Sequence, residues 1–281
     1  PVSTSVTSSI RSLNRSYMEG YPQAPTPPDG DCTEENNEYV YTEAGEDNGS
    51  YALSFCLGNS VSDLTAGTKV ARPIGITELF CSDSFGCGET CLYEGEYYPT
   101  VQIGTQCWMK KNINLGVKIN GNVNQLDNNI IEKYCVANNA SNCDIYGGLY
   151  QWGEAMKYST TEKAQGICPS GWYIPTRTEF ITLYNYHGGT VPPAICRLKN
   201  TSQDYPAWEG TNDYGFSLVP AGLVQTGNVF GPPGHYLSVL WSSTISGASA
   251  FSLYIRSSCS QYIDIYAQTH GYGQTVRCIK D

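Results

Sequence analysis

The stretch CPSGWYIPTRTEFITLYNYHGG, residues 168–189, predicts a helix with both ends marked. Thr176 and Glu179 have the spacing of a capping box, in which the threonine hydroxyl and the glutamate carboxylate each accept the other residue's backbone amide. The side chains that follow recur at helical spacing on one face: Phe180, Leu183, Tyr184 and His187. Gly188–Gly189 then supplies a helix stop. The sequence therefore predicts a helix that begins after Thr176 and ends near His187.

Short strands and one further amphipathic segment surround this helix. Residues 97–103 predict a strand, and residues 149–158 predict a helix with one apolar face. Loops rich in Gly, Pro and Ser then separate five predicted strands: 215–219, 236–242, 249–256, 260–267 and 274–279. Two helices followed by strands that are distant in sequence predict an α+β module.

Composition narrows the class of protein. The chain has 281 residues, enough for two domains, with 15% charged residues, 22 Tyr and 29 Gly, which is typical of a turn-rich β protein. A net charge of −10 and the lack of Lys/Arg runs argue against nucleic-acid binding. No run of apolar residues is long enough to span a membrane. The chain begins at Pro1 without a signal peptide, so we expect an export signal upstream.

The cysteines predict disulfides rather than metal. There are 12, and no pair of half-sites has the spacing of a zinc site. Disulfides form in oxidising compartments, so we expect an extracellular protein at a bacterial cell surface. Cys135 and Cys143 bracket an Asn-rich turn and are predicted to bridge locally.

Residues 1–30 predict a helix and a Pro-rich linker. Apolar side chains recur along one helical stripe at Val6, Ile10, Leu13 and Tyr17. In the next segment, 31–76, tyrosines alternate over 37–42 and 50–56 on either side of Asn48-Gly49, which predicts an antiparallel hairpin. That pairing brings Cys32 beside Cys56, and 68–72 supplies a third strand. A disulfide-tied connector, 77–95, leads to a module over 96–281.

Five segments of the large module carry a family resemblance. They are YYPTVQIGTQCWMKKN (97–112), YGGLYQWGEAMKY (146–158), CPSGWYIPTRTEF (168–180), WSST (241–244) and VRCIKD (276–281). In this order they resemble the Fibrobacter succinogenes major paralogous domain, a bacterial surface module whose pattern is similar to the C-type-lectin-like fold of formylglycine-generating-enzyme relatives. The resemblance implies that the first and last strands of the module meet. It also implies that Cys168 pairs with Cys278.

A second resemblance covers residues 4–76. The helix end, the Tyr-rich hairpin and SYALSFCLGNSVSDLTAGTKVARPIGI (50–76) are similar to the globular part of type IV pilins and pseudopilins. The apolar half of a pilin helix is not in the sequence, so Val6–Tyr17 matches only the distal end of such a helix. This resemblance implies like subunits in a filament, with membrane contact only through an upstream helix. A small hairpin appendage on a lectin-like domain is the alternative.

The remaining cysteines leave the connectivity partly open. The connector holds Cys81, Cys87 and Cys91 among polar residues. Either Cys87 or Cys91 is predicted to pair with Cys107 across the first strand of the large module. Cys196 and Cys259 remain as a further pair.

No enzyme signature is present, and we expect no catalytic activity and no cofactor. The sequence lacks a GxSxG elbow, HExxH, a P-loop and GxGxxG. His187 is predicted to pack or cap, while His235 and His270 lie in loops. Formylglycine-generating relatives use redox-active cysteines; Cys259 is the one position here that suits such a role, and a structural disulfide explains it better. That oxidase is therefore the most distant alternative.

Calcium-dependent lectins bind a calcium ion and a sugar together through carboxylates and a Trp-Asn-Asp strand. The corresponding Trp241-Ser242-Ser243 lacks a carboxylate, so we expect no sugar-bridging calcium. Carboxylates available for a structural ion are Asp127, Asp144, Asp204 and Asp213.

The predicted ligand-binding residues are loop aromatics: Trp208, Tyr205, His235 and Tyr236. Exposed aromatic rings bind apolar sugar faces and dominate protein contacts. The leading functional hypothesis is an extracellular pilin-like subunit or pilus-borne adhesin, with a glycan or a protein surface as receptor. The alternative is a free-standing secreted glycan-binding module.

Overall fold

The computed structural model describes most of the large module and parts of the preceding segment. The described residues are 32, 40–43, 51–57, 67–72, 75–78, 81, 86–186, 188–189, 194–225, 229–230, 237–260 and 264–280. They fall into two compact units, one within residues 1–80 together with 90–92, and one comprising 81–89 and 93–281. None of the helices in the described ranges is long and apolar enough to cross a membrane. The predicted helix over residues 5–18 lies outside the described residues.

The first unit contains one antiparallel sheet in sequence order. Its strands are β1 (Val40–Glu43), β2 (Tyr51–Leu57), β3 (Gly67–Arg72) and β4 (Gly75–Glu78). The predicted hairpin, the third strand and the Cys32–Cys56 disulfide are confirmed. β4 was not predicted, because Pro73 marks the end of β3. Arg72 pairs with Gly75 and Lys69 pairs with Glu78, so the sheet extends past residue 76.

The second unit is mixed α and β structure, mostly sheet. The strand β5 (Thr90–Tyr93) has most of its residues in the first unit. The strands of the second unit are β6 (Glu96–Ile103), β7 (Gln106–Met109), β8 (Val117–Lys118), β9 (Glu132–Lys133), β10 (Val224–Gln225), β11 (Val229–Phe230), β12 (Leu237–Ser246), β13 (Ser249–Arg256), β14 (Asp264–Thr269) and β15 (Ile279–Lys280). Its α-helices are α1 (Ser141–Tyr146), α2 (Trp152–Ala155) and α3 (Arg177–Tyr186). Two 3-10 helices cover Val136–Asn138 and Ala194–Leu198.

Two larger sheets organise this unit, one with the strands β15, β7 and β6 in that order and one with β12, β13 and β14. The terminal strand β15 pairs with β7 through Ile279 and Trp108, and β7 pairs with β6. The last strand therefore joins the hairpin that begins the module, but its partner is β7 and not the predicted first strand. Two-stranded pairs join β8 to β9 in parallel and β10 to β11 antiparallel.

The predicted capping box is confirmed at the start of α3. The Glu179 amide donates to Thr176 Oγ1 at 3.1 Å, and the Thr176 amide donates to Glu179 Oε2 at 2.7 Å. At the other end, the Gly189 amide donates to Tyr184 O at 2.9 Å, and the φ of Gly189 is 85°. Such a left-handed residue closes a helix at little cost when it is glycine. His187 itself lies outside the described residues.

Other predicted elements are shorter than the sequence indicates. The helix predicted over 149–158 is reduced to α2, because Leu149 and Tyr150 form β-bridges to Tyr134 and Gln274. The strand predicted over 215–219 is wrong; Leu218 alone forms a bridge there, to Lys199. Tertiary pairing in both places overrides the local pattern.

The family segments interlock through tryptophan side chains. Trp241 Nε1 donates to Tyr150 O at 2.7 Å, and Trp152 Nε1 donates to Ser242 O at 2.9 Å. The Ser243 amide donates to Pro175 O at 2.8 Å, just before α3. Three segments that are distant in sequence therefore share one hydrogen-bond network in the core.

The main core lies between α3, β7 and the β12–β13 strands. Trp108 stacks on Phe180 with ring centroids 5.8 Å apart and meets the edge of Phe216 at 5.5 Å. Such aromatic pairs add to the stabilisation from buried area.

The cysteines are all disulfide-bonded. Besides Cys32–Cys56, the pairs in the second unit include Cys87–Cys107, Cys135–Cys143, Cys168–Cys278 and Cys196–Cys259. These confirm the predicted pairings and resolve the choice for Cys107 in favour of Cys87. Cys81 and Cys91 are also disulfide-bonded.

Candidate binding site on the β13–β14 strands

A tyrosine-rich surface lies on one side of β13 and β14. Tyr254 pairs with Asp264, and Ser252 pairs with Tyr266. Alternate residues of a strand share a face, so Tyr254, Arg256, Asp264 and Tyr266 lie together. We call these four residues the tyrosine face. Tyr254 and Tyr266 are diagonal neighbours whose rings are 5.5 Å apart and inclined at 73°.

The opposite side of the same strands is apolar. Leu253, Ile255 and Ile265 pack into the main core. This alternation fixes which side chains turn away from the core, because a strand buried on one face must present its other residues outward. The tyrosine face is therefore held by a rigid scaffold rather than by a loop.

An ion pair fixes the polar part of this face. Arg256 Nη1 donates to Asp264 Oδ2, and the Arg256 guanidinium lies 6.0 Å from the Tyr254 ring centroid. The pKa of Arg256 is raised, and the hydrogen bond to Asp264 is the main cause. Burial opposes this shift, and a hydrogen bond to Tyr266 adds to it. The guanidinium is thus charged and oriented, with N–H groups beside two aromatic rings.

The Tyr254 hydroxyl remains protonated. Burial, followed by the nearby Tyr272, raises the pKa of Tyr254 to about 12, and the Arg256 charge opposes this. A neutral phenol both donates and accepts hydrogen bonds.

The face is open to solvent. Tyr266 is 44% exposed, and the side chains of Arg256 and Asp264 are 34% and 26% exposed. Aromatic rings next to a charged donor and a carboxylate acceptor match a ligand with an apolar face and several hydroxyls.

Of the predicted loop aromatics, the structure describes Tyr205 and Trp208, and these two do not share an exposed surface. Tyr205 is 82% exposed, but Trp208 is 4% exposed, so its predicted exposure is wrong. The Trp208 amide donates to Thr201 O at 3.1 Å, and Asn200 Nδ2 donates to Pro206 O at 3.2 Å. These bonds fold the loop back and turn the Trp208 ring into the core. His235 and Tyr236 lie outside the described residues.

The sequence contains part of the signal for the tyrosine face. Tyr254 and Tyr266 lie in the predicted strands 249–256 and 260–267, but the sequence does not give the register in which these strands pair. Only the observed register, with Ser252 opposite Tyr266, shows that both rings share a face with Arg256.

The carboxylates considered for a structural ion lie apart. The described residues contain no group of three His, Cys, Asp or Glu side chains that could hold a metal. Asp213 is 3.4 Å from Arg197 Nε, and Asp204 accepts the Thr201 amide at 2.6 Å. Asp144 lies 3.5 Å from Asn114 Nδ2, and Asp127 adds its charge to the surroundings of Glu154.

His270 has a packing role. Its ring stacks on Trp152 with centroids 4.4 Å apart, and burial lowers its pKa. Burial therefore favours the neutral form of the imidazole.

Comparison with known families identifies the large module. Residues 101–280 match the model described as the Fibrobacter succinogenes major domain. The chain belongs to this family. The matched residues include the tyrosine face, α3 and the Cys168–Cys278 disulfide, so all three lie within the Fibrobacter succinogenes major domain of this chain. Comparison with curated proteins and with solved structures found no match.

Proposed function

We propose that this chain is an extracellular adhesin that binds carbohydrate through the tyrosine face. The observation that carries the proposal is the inclined Tyr254–Tyr266 pair beside the Arg256–Asp264 ion pair. The disulfides support an oxidising, extracellular location, because such bonds persist there.

The chemistry of a sugar ring fits this face. The C–H groups of a pyranose pack against an aromatic ring, while adjacent hydroxyls take part in hydrogen bonds. Arg256 donates and Asp264 accepts, so a vicinal pair of hydroxyls finds both partners at one place. Neither partner requires a metal ion.

The pilus-borne form of this proposal rests on residues 4–76. Their sequence resembles the globular part of type IV pilins, and the described strands β1–β4 form an antiparallel sheet closed by Cys32–Cys56. In this proposal the first unit joins like subunits and the lectin-like second unit is displayed. A secreted binding module without a filament is the alternative. The residues that precede Pro1 in the gene distinguish them: an apolar pilin helix favours the first, and an ordinary signal peptide favours the second.

The carbohydrate proposal is tested on a glycan array with the purified, oxidised chain. We expect binding to a defined set of glycans that persists in EDTA. Two outcomes contradict the proposal. One is glycan binding that EDTA abolishes, and the other is an array on which no glycan is bound while the chain captures a protein receptor.

A further inference from the structure

Lys199 is a buried cation beside a disulfide. Its side chain is fully buried, and its Nζ lies 3.9 Å from Cys196 Sγ and 4.7 Å from the centroid of the Trp208 ring. Nζ also donates a hydrogen bond to Ser257 O. The 3-10 helix Ala194–Leu198 and the turn after β13 thus meet around one ammonium group.

The two sulfurs of this disulfide differ in exposure. Cys196 is 3% exposed, whereas Cys259 is only partly buried. Glu209 O lies 3.4 Å from Cys196 Sγ and 3.0 Å from Cys259 Sγ. Disulfide sulfurs carry no proton, so these are S···O contacts rather than hydrogen bonds. Because this oxygen is close to both sulfurs, it lies beside the bond and not behind Cys259.

We propose that Cys196–Cys259 is a thiol–disulfide exchange site, which accepts a low-molecular-weight thiol at Cys259 while Lys199 stabilises the departing Cys196 thiolate. In the first step, the external thiolate forms an S–S bond to Cys259 Sγ, and the electron pair of the broken bond goes to Cys196 Sγ. In the second step, another thiolate attacks the external sulfur and releases Cys259 as a thiolate. The protein gains two electrons, and two thiols are oxidised to one disulfide.

The position of Lys199 gives this exchange its direction. A thiolate beside a lysine is stabilised, and a sulfur that forms a more stable thiolate leaves faster. Burial lowers the pKa of Lys199 to about 8, and the Glu209 charge opposes the shift. The ammonium form therefore still predominates near neutral pH. Burial of Cys196 also directs the incoming thiol to Cys259.

Cys168–Cys278 serves as the internal reference. Both of its cysteines are fully buried, so an external thiol reaches neither sulfur without local opening. The two disulfides can be followed in the same sample, which removes differences in protein or thiol concentration.

The site of attack is tested first on the unaltered chain. The oxidised protein is treated with limiting glutathione, quenched with an alkylating agent and mapped by peptide mass spectrometry. We expect glutathione on Cys259 and the alkyl group on Cys196, before Cys168–Cys278 opens. Glutathione on Cys196, or earlier opening of Cys87–Cys107, overturns the proposal.

The role of Lys199 is tested with Lys199→Met, which keeps the length of the side chain without its charge. We expect opening of Cys196–Cys259 to slow roughly tenfold while Cys168–Cys278 keeps its rate. Lys199→Arg should restore most of the rate. An unchanged rate in a folded Met variant removes Lys199 from the proposal; if that variant does not fold, the site of glutathione attachment in the unaltered chain still decides.

Discussion

Arg277 directs two of its N–H groups at a single oxygen of Asn112. Nε and Nη2 donate to Asn112 Oδ1 at 3.1 and 2.9 Å, and the guanidinium lies 4.5 Å from the centroid of the Phe216 ring. Arg277 is fully buried, and burial lowers its pKa to about 9. The segment that follows β7 and the segment that precedes β15 are thus joined by a buried cation held by neutral acceptors.

Removal of Asn112 should therefore be costly. Asn112→Ala leaves the guanidinium without that acceptor, and we expect a loss of about 3 kcal/mol in the free energy of unfolding. Arg277→Met removes the charge together with its need for partners, so it should cost less than Asn112→Ala. Urea denaturation of both variants measures this. An Arg277→Met variant less stable than Asn112→Ala contradicts the account.

The disulfides should contribute according to the length of the loop that each closes. Cys168–Cys278 spans 110 residues and Cys135–Cys143 spans 8. Loop-closure entropy predicts that loss of the longer bridge costs about 2 kcal/mol more than loss of the shorter one. The double variants Cys168→Ser/Cys278→Ser and Cys135→Ser/Cys143→Ser are compared by their midpoints of thermal unfolding. Equal midpoints mean that the denatured chain does not behave as the entropic model requires.

Stability should change with alkaline pH in two opposite ways. The folded pKa of Lys199, about 8, lies below its unfolded value, so the unfolded chain holds more protons between these values and this contribution to stability rises with pH. Burial raises the pKa of Tyr93 and Tyr134 to about 12, so their contribution is complete below about pH 10 and is lost above it.

Denaturation of the unaltered chain and of Lys199→Met between pH 7 and 11 tests both effects. We expect the stability of the unaltered chain relative to the variant to increase from pH 8 to 10, and both proteins to lose stability above pH 10. A difference that stays constant with pH means that Lys199 does not titrate in this range.

Local signals in the sequence predicted the elements that depend on local interactions. The capping box at Thr176 and Glu179 formed because both partners lie within one turn. The pairing of β1 with β2 agrees with the alternation of tyrosines in the sequence of these two strands. The Cys168–Cys278 pair was predicted from the resemblance of the large module to its family, and not from local chemistry.

What the sequence did not reveal depends on long-range register. The pattern over residues 149–158 predicts a helix, but Tyr150 forms a β-bridge to Gln274. Local sequence cannot predict a pairing with a residue so distant in the chain. The sequence predicts an exposed Trp208 because this residue lies in a loop, yet hydrogen bonds within the loop turn the ring inward. The tyrosine face needs the β13–β14 register to bring Tyr266 beside Tyr254. These are properties of pairing across the fold.

Glycan affinity should depend on the tyrosine face. Tyr266→Ala removes the more exposed ring, and we expect at least a tenfold weaker affinity, corresponding to about 1.4 kcal/mol. Tyr205→Ala is the matched control, because Tyr205 is 82% exposed and lies in a loop, whereas Tyr266 lies on β14. Isothermal titration with a glycan found on the array measures both. If Tyr205→Ala weakens binding and Tyr266→Ala does not, the predicted loop aromatics bind the ligand instead.

The assembly prediction concerns the first unit. We expect the full-length protein to form extracellular filaments, because a pilin-like segment stacks its helix against neighbouring subunits while the displayed module remains outside. The predicted helix that carries the Val6–Ile10–Leu13–Tyr17 stripe is too short to be stable alone, so we expect its apolar face to be buried.

A deletion that tests this should remove residues 1–80 rather than 1–76, since β4 pairs with β3 as far as Glu78. We expect that shortened chain to remain folded and monomeric, because the second unit holds its own core and disulfides. Electron microscopy of cell-surface fractions, with near-UV circular dichroism of the shortened chain as a folding control, gives the readout. Filaments that persist without residues 1–80 would make the second unit the polymerising element and the pilin-like proposal wrong.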